Sequence, residues 1–120
     1  PTMATQYLGN GTFLANTTIT AFQGVVISNN RGVGLSTSTA CDGFAQIDAA
    51  SGDYITVRFL HSTGTLKAVI TGTPVTVGDS IYLAASGLVS TTGTVTVGKS
   101  LSTQASGNGS AVIEFIPKNL

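Results

Sequence analysis

The 120 residues carry five Lys and Arg against five Asp and Glu, a net charge of zero, and charged residues make up only 8% of the chain. Five dispersed cations cannot neutralise a run of phosphates, which argues against nucleic acid as a partner, and they form no polybasic cluster for an anionic membrane. The lone cysteine, Cys41, permits no internal disulfide, and 42% hydrophobic residues is too apolar for a solvated, disordered chain.

Thr (19), Ser (12) and Gly (15) together supply 46 of the 120 residues, whereas Lys, Glu and Met number three, one and one. Hydroxyl-bearing and β-branched residues at this density favour strands, and the recurrent Gly punctuates them. The first stretch, 1–17, is polar and Gly-containing, with isolated apolar anchors at Met3, Tyr7, Leu8, Phe13 and Leu14. It is expected to be an extended N-terminal arm, with a single β domain over 18–120. A first strand is expected within 18–28, with Ile19 or Phe22 and Val25-Val26-Ile27 as core candidates, followed by a turn at Asn29-Asn30-Arg31-Gly32. Gly43 to Ala49 is a second strand candidate.

The stretch Tyr54 to His61 is the clearest strand. Ile55, Val57, Phe59 and His61 fall on one face, and Tyr54, Thr56, Arg58 and Leu60 on the other. Both faces hold apolar side chains, so the second can meet another sheet or another subunit. Leu66 to Ile70 follows. Ser80 to Ala84 and Leu88 to Ser90 flank Ala85-Ser86-Gly87 as a hairpin, and Thr94 to Leu101 and Ala111 to Ile116 complete the set. Pro117 is expected to end any ladder. Short strands with frequent turns predict an all-β fold, a small β-barrel, β-tulip or sandwich. Gly52-Asp53-Tyr54-Ile55 is echoed by Gly78-Asp79-Ser80-Ile81, and more weakly by Gly107-Asn108 before Ala111. In each, Gly suits the turn and the Asp or Asn side chain binds local backbone N–H groups as a strand opens.

The catalytic inventory is thin. His61 alternates with apolar residues, which suits a core or interface histidine better than a general base. Cys41 has no nearby cation to activate it and reads as an inert thiol. One Cys and one His cannot close a zinc site, and Asp42, Asp48, Asp53, Asp79 and Glu114 are dispersed. Gly9-Asn10-Gly11 and Gly107-Asn108-Gly109 do not continue into a phosphate-binding loop. The reading is therefore no enzyme, no catalytic residues, no metal and no cofactor. Pro1 fits removal of an initiator Met in a bacterial-type cytoplasm, and the first cation, Arg31, comes too late for a secretory signal. Charge depletion marks interface cores, so the surface points to an assembly protein.

The order of short motifs carries a resemblance. Gly52-Asp53-x-Ile55-x-Val57 is followed by Gly64-x-Leu66-x-Ala68 and by Pro74-Val75-x-Val77-Gly78-Asp79-x-Ile81-x-Leu83. Ser86-Gly87-Leu88-Val89, Val97-Gly98-Lys99-Ser100-Leu101 and a final Gly107 to Phe115 segment complete it. This arrangement, over roughly Ala21 to Ile116, resembles the small capsid decoration (cement) proteins of tailed bacteriophages. The resemblance implies a compact β-barrel or β-tulip related to the lambda head decoration protein. It implies a homotrimer on the outer surface of the expanded capsid, in contact with the major capsid protein, in virions made in a bacterial cytoplasm. An N-terminal arm would reach onto the shell, with Tyr7, Leu8, Phe13 and Leu14 as its anchors; Tyr54, Arg58 and Leu60 are the candidates for subunit contacts. The alternative is a phage tail, fibre or adhesin-type β module that binds a host glycan, although the chain has no Trp and only three Tyr to line such a site.

Overall fold

The computed structural model describes residues 10–29, 31–60, 64–71, 74–104 and 111–118. These contain ten strands and no helix: β1 (Asn10–Ala15), β2 (Gly24–Asn29), β3 (Gly32–Leu35), β4 (Gly43–Ala45), β5 (Tyr54–Phe59), β6 (Leu66–Ile70), β7 (Ser80–Leu83), β8 (Val89–Ser90), β9 (Thr96–Ser100) and β10 (Ala111–Pro117). The all-β, barrel-type fold expected from composition is present, but twice over. The first five strands close a ring in the order β1-β3-β2-β4-β5, and the last five close another in the order β6-β8-β7-β9-β10.

The two rings have the same topology. In each, the first strand runs parallel to the third (β1 with β3, β6 with β8), and every other neighbouring pair is antiparallel. The loops match as well. The isolated bridge Ile19–Ala49 recurs as Val75–Gln104. The turn closed by Gln23 N–H donating to the Thr20 carbonyl recurs as Asp79 N–H to Thr76, and its side-chain bond, from Thr20 N–H to Gln23 Oε1, recurs from Thr76 N–H to Asp79 Oδ2. The chain is a tandem duplication with an offset of 55 to 58 residues (Gly43 to Gly98, Ile19 to Val75, Ile55 to Ile113).

Equivalent positions meet equivalent constraints. A Cβ on Gly43 would strike the Arg58 carbonyl oxygen and Val57 Cγ1, and one on Gly98 would strike the Ile116 carbonyl oxygen and Phe115 Cδ2. Both barrels need glycine where β4 and β9 cross closest to the next strand. The turn before the second strand of each barrel needs a positive φ. Gly78 supplies it without strain at 94°, while Phe22 holds 70°, a conformation that bulky residues rarely adopt.

Three sequence expectations change, and one unassigned stretch gains a strand. Asn10–Ala15 is not part of an extended arm: it pairs with β5 from Asn10–Arg58 to Leu14–Tyr54, and with β3 on its other edge. The residues after the Asn29–Gly32 turn, given no element from sequence, form β3, which fills the gap between β1 and β2. Pro117 does not end its ladder; it lies opposite Gly98, and Lys118 N–H still bonds the Val97 carbonyl. Finally, the Gly52-Asp53 and Gly78-Asp79 echo joins inequivalent strands, because β5 matches β10 whereas β7 matches β2.

Alternation along the strands fills each interior. The first barrel packs Phe13, Ala15, Ile19, Val25, Val33, Ile55 and Val57, among others, and the second packs Leu66, Ile70, Ile81, Leu83, Ile113 and Phe115. The second core is not self-contained. Phe44 from β4 and Leu60 just after β5 belong to it, and the Phe44 ring meets Phe115 edge-on, 5.4 Å between centroids.

Candidate interaction surfaces

On β5, Ile55 and Val57 face the first barrel's interior, as expected for that face. The opposite face divides among three environments. Tyr54 stands in solvent at 72% exposure, Arg58 is half-buried, and Leu60 is buried in the second barrel. The expectation that this face meets another sheet is met at Leu60 by the second half of the same chain. That contact removes Leu60 from any surface a second subunit could reach.

Phe13 is likewise buried, in the wall of the first barrel. Its ring meets Phe59 at 90° with centroids 5.8 Å apart, and the Arg31 guanidinium lies 4.8 Å from its centroid. Arg31 Nη2 also donates to the Thr12 carbonyl. A side chain held in this way cannot serve as a free anchor. Leu14 points the other way, because its neighbours Phe13 and Ala15 face inward. It is half-buried and lies directly opposite Tyr54. The structure therefore joins Leu14 and Tyr54, from two different expected groups, in one outward pair, with Thr12 and Thr56 paired one step along the same face. Tyr7, Leu8 and His61 lie outside the described residues.

Cys41 and four of the five carboxylates bond within the fold. Cys41 Sγ donates to the Gly43 carbonyl at 3.2 Å, and burial pushes the thiol up from 9.0 to about 11. At neutral pH it is protonated and unreactive. The Asp42, Asp48 and Asp79 carboxylates accept from the backbone N–H groups of Ile27, Ala21 and Thr76, and Glu114 accepts from the Thr65 hydroxyl. Among the described residues, no three His, Cys, Asp or Glu side chains are grouped to hold a metal ion.

The surface of the described residues includes two concavities. An open groove of about 440 Å³ crosses the outer wall of β7, β9 and β10, and contains Lys99, Lys118 and Ile116. A shallower cleft of about 330 Å³ beside the Ile19–Ala49 bridge contains Asp48 and Asp53. Residue types alone did not single out either: Lys99 and Lys118, like Asp48 and Asp53, come together only through closure of the barrels.

Residues 8–115 match the family described as phage cement protein, and the chain belongs to that family. No curated protein sequence matches it. Among solved structures, it is similar to the crystal structure of the head fiber gp8.5 N base in bacteriophage phi29, with a TM-score of 0.73 and 16% identity over 91% of this chain and 92% of that one. At that identity the likeness concerns the fold.

Proposed function

We propose that the chain binds the outer surface of the expanded phage capsid as a homotrimer and clamps neighbouring major capsid subunits. The observation that carries this reading is the family match, which runs through both barrels rather than one. The mechanism is mechanical. A protein that bridges several subunits adds interface area that must be broken before internal DNA pressure can open the shell. Binding the expanded lattice in preference to the unexpanded one stabilises the expanded state by mass action. The Leu14–Tyr54 pair offers an apolar, aromatic contact on the outer wall, and Tyr7 and Leu8, ahead of β1, would extend that contact onto the shell.

Binding to purified, expanded capsids tests this. Deleting residues 1–9 leaves every described strand intact and should weaken binding, as should Tyr54→Ala. Deletion through Phe13 should instead destroy the first barrel, because it removes most of β1 from between β3 and β5. Unchanged affinity in both the 1–9 deletion and Tyr54→Ala would refute the assigned contacts, and failure of the parent chain to bind expanded capsids would refute the function. The likeness to a head-fibre base favours one second reading, a fibre or tail module that meets a host glycan. The copy number per virion separates the two. A value set by the shell lattice supports cementing; a few copies support the fibre.

A further inference from the structure

The duplication identifies one surface that the chain uses in its first half and leaves open in its second. In the first barrel, Phe44 sits between Gly24 and Arg58 in the ladder, faces away from its own interior, and is covered by the second barrel together with Leu60. In the second barrel, Lys99 holds the same position, between Ser80 and Ile116. Lys118 matches Leu60: Leu60 N–H bonds the Asp42 carbonyl, and Lys118 N–H bonds the Val97 carbonyl at the equivalent step. The wall that docks one barrel onto the other is thus repeated, with two ammonium groups in place of two apolar side chains.

On the second barrel this wall is the 440 Å³ groove. Ile116 is 50% exposed along it, and the Ser80 and Thr96 hydroxyls line it. Neither the Lys99 nor the Lys118 side chain makes a hydrogen bond or ion pair among the described residues. Burying unpaired ammonium groups is costly, so the occupant of this wall must bring carboxylates.

A second copy cannot repeat the intrachain contact. There, Phe22 and Gly24 of the first barrel wedge between β6 and β8: Val69 N–H donates to the Phe22 carbonyl, and Gly24 N–H donates to the Gly87 carbonyl. The equivalent slot in the first barrel is shut, because Leu14 N–H donates directly to the Arg31 carbonyl. The complementary surface is instead the cleft beside Ile19 and Ala49, where Asp48 and Asp53 stand with the Thr18 and Thr20 hydroxyls. Asp48 accepts a bond from Ala21 N–H, and the Asp53 carboxylate has no hydrogen-bond partner among the described residues.

We propose that the Lys99–Lys118 groove of one copy docks the Asp48–Asp53 cleft of a second copy. The two surfaces lie on different barrels, so the contact is head-to-tail. Each added copy leaves a groove and a cleft open until a ring closes. The proposal rests on the self-association in the functional reading above, but not on capsid binding.

Light scattering and sedimentation of the full chain test it. The parent should oligomerise in about 0.05 M salt and weaken as salt approaches 1 M, where screening shortens to about 3 Å. K99D/K118D should weaken association at least tenfold, and so should D53K. D48N, which keeps an oxygen acceptor for Ala21 N–H, should weaken it less. Combining K99D/K118D with D53K should restore a substantial part of the loss. Circular dichroism of each variant separates lost docking from lost folding, and the exposed Lys99 and Lys118 keep the test independent of the core. A monomeric parent, an oligomer indifferent to K99D/K118D, or a triple variant as weak as K99D/K118D would each overturn the proposal. A monomer that still binds capsids would sink this inference and the self-association it rests on while leaving capsid binding in place, and an oligomer that ignores capsids would sink the capsid reading alone.

Discussion

Between pH 9 and about 11 the folded chain keeps Cys41 protonated while the unfolded chain loses that proton, because burial holds the thiol above its ordinary value. The folded state binds the proton more tightly, so the stabilisation is complete below pH 9 and is lost as pH rises toward 11. Two pH units correspond to about 2 to 3 kcal/mol. Urea midpoints of the parent against Cys41→Ala, taken from pH 8 to 11.5, should show the parent losing about that much more. Parallel curves would mean that the thiol is solvated. The glycine pair gives a second residue-scale expectation. Gly43→Ala and Gly98→Ala each force a methyl group onto a carbonyl oxygen and a core side chain. Each should cost about 1 to 3 kcal/mol or more in chemical denaturation, and by similar amounts, since the two sites are structural copies. If one is neutral, the barrels do not share that close crossing.

At the scale of elements, Phe44 sits on a three-residue strand, yet it decides how the halves join. Phe44→Ala should destabilise the protein by about 3 to 5 kcal/mol, the usual range for an emptied aromatic site. In a double-mutant cycle with Phe115→Ala, the coupling should be about 0.5 to 1.5 kcal/mol for the edge-on pair. Additive losses would mean that the rings are neighbours without a specific interaction. Phe44 also marks the limit of what the sequence makes visible. Strands such as β5 and β6 declare themselves through apolar alternation, and β7 with β8 through a Ser-Gly turn whose φ values are 59° and 78°. β1 and β3 do not. In β1 the inward positions after Gly11 are Phe13 and a small Ala15, and in β3 the inward Val33 and Leu35 alternate with Gly32 and Gly34, residues that read as turn, so neither declares itself a strand until its partners are known. The duplication is hidden because barrel equivalence conserves bonding and the Gly43/Gly98 crossing while exchanging side chains, Phe44 for Lys99 and Gln23 for Asp79. The family was legible from the order of turns and strand openings. Outward-facing residues were less so, because a large side chain on a strand reads the same whether it points into a barrel, as Phe13 does, or out of one, as Tyr54 does.

At the scale of the molecule, the two barrels depend on one another unequally. Among the described residues, the first barrel's core is made only of its own side chains, whereas the second takes Phe44 and Leu60 from the first. Unfolding the first barrel withdraws two side chains from the second core and also removes Phe22 and Gly24 from between β6 and β8. Opening the second barrel exposes Phe44 and Leu60 but leaves the first core filled. A partly folded state with the first barrel intact is therefore accessible, and its mirror image is not. Native-state hydrogen exchange reads this asymmetry directly. Ile55→Ala, an emptied site in the first core costing about 2 to 5 kcal/mol, should lower protection in β1–β5 and β6–β10 alike. Ile113→Ala, the equivalent site in the second core, should lower protection chiefly in β6–β10. If Ile55→Ala spared the second barrel, the shared core would not couple the halves. If Ile113→Ala lowered both equally, the chain would open as a single unit, and it would resist force as one body rather than as two in series.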